Sequence, residues 1–181
     1  LHAKPVLDVL GPALINTIII LGISLLFALL IALPMGVIAA TRPGSNLDYG
    51  INMLAFVGIS IPPFWLSLML IIIFAVVMGL LPAGGTAAPA GVTGIWESAL
   101  YFILPIATLT ISHIGGHTRY MRASMIEVLR QDYIRTARAK GLSEFRVVVH
   151  HALRNAMIPV ITVIALDFGY LISGALIIET I

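Results

Sequence analysis

The stretch ALINTIIILGISLLFALLIALPMGVIAA, residues 13–40, holds no Asp, Glu, Lys or Arg over a length that decides the fold. A bilayer core of about 30 Å needs about 20 apolar residues at a helical rise of 1.5 Å. Similar charge-free gaps separate Asp48 from Glu97 and Glu97 from Arg119. One apolar helix can sit in a soluble core, but three such gaps in a chain of 181 residues read as membrane helices. Composition agrees: 10% of residues are charged, where soluble domains carry about 25%, and the mean hydropathy is +1.08. The absence of cysteine excludes a disulfide framework and a thiolate metal site.

Working outward, four spans are expected, at 13–40, 51–81, 100–117 and 157–178, in an all-α polytopic membrane bundle. Pro34 and Gly36 lie near one end of the first, where a kink costs least. Pro62 and Pro63 remove two backbone donors from the second, so one straight helix is not expected there. The connection PAGGTAAPAGVTG, 82–94, reads as an irregular loop. In the third span the paired glycines of HIGGH weaken the helix or admit a neighbouring backbone. Asp167 is the one acid inside a span; it serves either a translocation path or a helix–helix contact.

Basic residues set the orientation, since they collect on the cytoplasmic side. Eight of the ten, from Arg119 to Arg154, lie between the third and fourth spans, and Glu127, Asp132 and Glu144 reduce the local charge to 8 minus 3, or +5. The segment 119–154 is therefore placed inside, with the first loop, which carries Arg42; both chain ends and the Gly-rich loop face outward. Met121 to Lys140 reads as a helix stopped at Gly141, with Arg138 and Lys140 suited to the negative end of its dipole. Ser143 then starts a second helix whose apolar face is Phe145, Val148, Val149, Ala152, Leu153 and Ala156. Such a helix, corner and amphipathic helix either lies on anionic lipid or docks a soluble partner. The small residues Thr136, Ala137 and Ala139 beside Gly141 favour docking.

At these residues the chain resembles ABC importer permeases, whose cytoplasmic loop carries Glu-Ala-Ala, three residues, Gly, nine residues and Ile-x-Leu-Pro. Here Arg135-Thr136-Ala137 stands at Glu-Ala-Ala, Gly141 keeps the glycine and Leu153 the leucine, while His151 and Arg154 replace Ile and Pro. DYIRTARAKGLSEFRVVVHHALRNAMIPV, LPMGVIAATRPGSNLDY, SIPPFWLSLMLIIIFA, LPAGG, TRYMRASMIEVLRQDYIRTARAKG and ISGALIIET closely resemble the dipeptide/oligopeptide/nickel branch, B-type membrane subunit.

The resemblance implies an importer subunit in a prokaryotic plasma membrane, moving peptides or a related small solute and lacking the family's first and last spans. It implies two cytoplasmic ATPase subunits, a second homologous permease and an external solute-binding protein as partners, with lipid around the spans and no nucleic acid. It implies that Arg135, Thr136, Ala137, Arg138, Ala139, Lys140, Gly141, Leu142, Ser143 and Leu153 seat in the ATPase. Asp167, Pro62 and Pro63 are candidates for the translocation path.

The chain is not expected to be an enzyme or to hold a cofactor: no phosphate loop of the form Gly-x-x-x-x-Gly-Lys-[Ser/Thr] occurs, and the spans hold no paired acids, His-Glu-x-x-His motif or Ser-Lys dyad. His113 and His117 share a helical face but lack a third ligand nearby, so no metal is expected. The competing class is an ion-coupled secondary transporter in which Asp167 carries the coupling proton.

Overall fold

A computed structural model describes residues 6–83 and 95–178. The segment 84–94, most of the expected outer loop, lies outside the described residues, as do both chain ends. The described residues are helical, with no strand among them. They form two compact units, one drawn from the described residues within 1–27, 61–112 and 168–181, the other from Ala28–Ser60 and His113–Asp167.

Helix α1, Val6–Thr41, runs 36 residues and continues past Pro34. Helix α2, Asn46–Ser60, starts after a tight corner at Gly44, whose φ of 77° suits a residue without Cβ. The Asp48 N–H donates to Ser45 Oγ at 3.2 Å, so a serine hydroxyl meets one of the unpaired donors at the helix start.

The expected break in the second span occurs. Pro62 is extended, with ψ 134°, and Pro63 opens α3, Pro63–Leu70, at the position where a missing N–H costs nothing. The Leu66 N–H returns to the Pro62 carbonyl at 3.0 Å. The chain then widens into a π turn, Ile71–Val77, before ending near Gly79, φ 61°.

Helix α4, Ile95–Leu129, is continuous through Pro105 and through HIGGH. The glycines therefore do not end the third span's helix. A Cβ on Gly115 would strike the Ala55 carbonyl oxygen and come within 2.8 Å of Ile59, so this glycine lets α2 approach α4, whereas Gly116 faces open space. Gly36 does the same for α1, where a Cβ would lie 2.6 Å from Met121 Cβ and 2.8 Å from the Thr118 carbonyl.

The helix expected over Met121 to Lys140 is two helices. After α4 ends at Leu129, a bend at Arg130-Gln131 starts α5, Asp132–Ala139. Helix α6, Glu144–Arg146, follows and passes without interruption through a π turn, Val147–Ala152, into α7, Leu153–Ile178.

In the first unit, buried Leu25, Leu66 and Leu104 accompany a buried hydrogen bond in which Thr110 Oγ1 donates to the Ser24 carbonyl at 3.3 Å. The second unit's core gathers Met121 and Met125 of α4, Ile134 and Ala137 of α5, Val147 of the π turn and Ala156 and Val160 of α7. Three helices are long and apolar enough to cross a membrane, and the α2–α3 pair, bent at its break, makes a fourth if counted as one span. Many large apolar side chains outside these cores face outward, such as Leu30 at 61% and Ile158 at 65%, as expected where lipid or another helix is the neighbour.

Candidate functional site: the basic segment and the polar contacts behind it

The α5 corner follows from Gly141. Its φ of 78° lies in the left-handed region, the Gly141 N–H donates to the Arg138 carbonyl at 2.9 Å, and the Leu142 N–H reaches the Ala137 carbonyl at 3.4 Å. This is the Schellman pairing, which satisfies the last carbonyls of the helix and reverses the chain. Leu142 then packs against the core. Arg138 ties the two arms together: Nε donates to Glu144 Oε1 at 2.7 Å and a terminal nitrogen to Oε2 at 3.3 Å. Ser143 occupies the N-cap position of α6 but makes no side-chain cap hydrogen bond.

The residues matched to the coupling motif divide between two surfaces. Arg135, Thr136, Arg138, Ala139, Lys140, Gly141 and Ser143 are exposed, whereas Ala137 is buried and Leu142 and Leu153 are half-buried. Ala137 therefore offers no room to a partner; it fits α5 onto the core beside Ile134. Arg135 makes only a long 3.4 Å contact with Asp132 one turn away.

Of the expected apolar face of the second helix, Ala152 and Ala156 are buried and Val148 and Leu153 pack against the core, but Phe145 does not join it. Val147, Ala152, Ala156 and Val160 are buried, spaced five, four and four apart, while Phe145 is 74% exposed. A π turn adds about one residue per turn, which brings Val147 into the buried row with Ala152. Phe145, expected on the packed face, is an outward apolar side chain beside Arg146. Hydropathy periodicity at 3.6 cannot find this shift, because the π turn is set by packing.

Two polar groupings link the segment's base to the helices. Arg122 grips Asp48 with both ends of its guanidinium, Nε to Oδ1 at 2.6 Å and a terminal nitrogen to Oδ2 at 2.7 Å. Asp48 also accepts from the Gly44 N–H at 2.9 Å and from Asn52 at 2.7 Å, and it is 2% exposed. It lies in the first turn of α2, ahead of the apolar run that starts at Ile51. The Arg122 hydrogen bonds hold its carboxyl at about 2, against an ordinary 3.8, although burial opposes them. Arg119 lies over the Phe56 ring, 4.8 Å from its centroid. Both arginines thus position α4 against α2.

The second grouping joins residues singled out separately. Asp167 Oδ2 lies 3.6 Å from His117 Nε2, and the His113 ring stacks on His117 with centroids 6.1 Å apart. Among the described residues no group of three or more His, Cys, Asp or Glu is placed to hold a metal ion.

The helices, the glycine corner and the basic segment can be compared with known proteins. Residues 32–181 match the model of the family described as binding-protein-dependent transport system inner membrane component. The chain belongs to that family. Its relatives include the oligopeptide transport system permease protein AppB of Bacillus subtilis, 42% identical over 98% of this chain and 56% of AppB. The dipeptide transport system permease protein DppB of the same organism is 44% identical over 87% of this chain and 48% of its own length. DppB of Escherichia coli is 40% identical over 87% of this chain and 53% of its own. The chain spans about half the length of these relatives. The helical, multi-span reading and the resemblance to peptide permeases agree with this membership.

Proposed function

We propose that the chain is part of a membrane-spanning permease subunit of an ATP-driven importer of peptides or a related small solute, in a prokaryotic plasma membrane. The observation that carries this is the corner at Gly141 within a family member: α5 packs on the core through Ile134 and Ala137, while Arg135, Lys140 and, across the turn, Phe145 stay exposed. An exposed aromatic next to Arg146, on a segment that also exposes Arg135 and Lys140, suits a protein groove with acidic edges, since aromatic and arginine side chains supply most of the energy in such contacts. The partners are cytoplasmic ATPase subunits, a second homologous permease and an external solute-binding protein.

Force applied at the corner passes into α7 because helix runs unbroken from Glu144 to Ile178. ATPase closure then rearranges the spans, and Asp167, Pro62 and Pro63 belong to the translocation path in this reading. Hydrolysis itself belongs to the partner.

The test is co-purification of the full-length protein with an ATPase subunit from mild detergent, comparing wild type with an Arg135→Glu, Phe145→Ala variant. Both side chains are mostly exposed, so the fold should survive while association falls at least tenfold. Unchanged association would remove the coupling role. The secondary-transporter reading, favoured only by the Asp167–His117 contact in an apolar helix pair, predicts uptake that survives loss of the ATPase.

A further inference from the structure

We propose that the cleft between α2 and α4 binds the phosphate of one anionic phospholipid, with Arg119 as the cation that meets it. The cleft is half-open, has a volume of about 410 Å³ and lies within the second unit; Asn52 of α2 and Gly116, Arg119, Tyr120, Arg122 and Ala123 of α4 line it. On α4, Gly116, Arg119, Tyr120 and Ala123 follow the i, i+3, i+4, i+7 spacing of one helical face, so two small residues flank an arginine and a tyrosine. A Cβ on Gly116 would meet nothing within 4 Å, so the cleft is unfilled at that end.

Charge selects the ligand. Among the described residues Arg119 has no carboxylate within ion-pair distance; its guanidinium lies over the Phe56 ring, 4.8 Å from the centroid. The ring holds the cation in place without neutralising it. Arg122 directs two N–H donors to Asp48, and a guanidinium has about five, so others are left for a second acceptor. With the Arg122–Asp48 pair neutral, the cleft carries the single positive charge of Arg119. A phosphodiester matches it, with one negative charge and several acceptor oxygens, and the Tyr120 hydroxyl is a further donor at the same wall.

Position identifies the source of the phosphate. Arg119 is the first charged residue after Glu97, where the apolar run of α4 gives way to the basic segment. A membrane helix leaves hydrocarbon at such a point, and arginines placed there attract anionic headgroups. On α2 the turn that follows Asn52, running away from the basic segment, carries Met53, Phe56 and Val57, which the described residues leave 71%, 54% and 50% uncovered. A free phosphate makes no use of that apolar strip, whereas a lipid held by its phosphate lays an acyl chain along it. The proposal rests on the family's place in a membrane and not on the importer reading, so a protein that failed to transport peptides would leave it standing.

The test is native mass spectrometry of the full-length protein, in the complex with which it co-purifies, released from nanodiscs holding equal parts of phosphatidylglycerol and phosphatidylethanolamine. Wild type should retain phosphatidylglycerol in preference by about fivefold, the effect of one basic residue near an anionic surface. Arg119→Ala should abolish the preference and Arg119→Lys should keep most of it. Arg130→Ala, which removes an exposed cation outside the cleft, should leave it unchanged. Equal retention of the two lipids by wild type would overturn the proposal even if Arg119→Ala fails to fold, and so would an undiminished preference in Arg119→Ala. Displacement of the lipid by excess inorganic phosphate would also overturn it, by assigning the cleft to a free anion. Loss of a partner subunit from Arg119→Ala with lipid retention unaltered would overturn it by giving the cleft to a protein.

Discussion

Single residues in this chain act through what they meet. Gly115 and Gly116 are adjacent and identical, yet only Gly115 is crossed by another backbone. Gly115→Ala should therefore destabilise by about 1–3 kcal/mol, as overpacking does. Gly116→Ala should be neutral or stabilise by up to about 1 kcal/mol through helix propensity. Thermal unfolding of the full-length variants in detergent measures both, and equal effects would refute the close approach of α2. Asp48 and Arg122 offer a second case. Replacing Arg122 by Ala leaves a carboxylate of 3% side-chain exposure unpaired, which costs about 3 kcal/mol when a buried pair is broken. A double-mutant cycle with Asp48→Ala should return a coupling above about 1 kcal/mol. The sign of its pH dependence follows from a folded carboxyl at about 2 against 3.8. The pair's contribution is complete above about pH 5 and is lost as the pH falls toward 2, so melting temperatures should show no titration from this pair between neutral pH and about 5.

At the scale of elements, the basic segment was largely legible because its punctuation is local. A glycine after a helix with basic residues in its last turn signals a stop, and Gly141 takes the left-handed conformation that the stop requires. Gly141→Ala should cost about 1 kcal/mol from forcing a Cβ into that region, and it should loosen the corner before it unfolds the protein. Hydrogen exchange of the Leu142 amide, which closes the corner onto Ala137, reads this directly; exchange as slow as in wild type would mean that the corner does not depend on glycine. The break at Arg130-Gln131 and the π turn at Val147–Ala152 were not legible. Neither carries a proline or glycine, and both arise where α5 and the π turn bring Ile134, Ala137 and Val147 onto Met121 and Met125 of α4.

For the whole molecule, the charge distribution argues that the basic segment faces the cytoplasm, and this is checkable. Single cysteines placed at Arg130 and Arg146 of the full-length protein should be labelled by an impermeant thiol reagent only after the membrane is opened, and no native cysteine within these 181 residues competes. Labelling in sealed cells would reverse the orientation. What the sequence by itself determined is what depends on local composition: apolar runs long enough to span, the proline break at Pro62-Pro63, the glycine corner and the basic segment, together with membership of the family. Each is a property of neighbouring residues and of their transfer between water and lipid. Only the tertiary structure decided which distant side chains meet, such as Arg122 with Asp48, Gly115 with Ala55 and His117 with Asp167. Hydropathy treats every outward direction of an apolar helix alike, so rotation and register are settled by close packing and by the need to pair each buried charge.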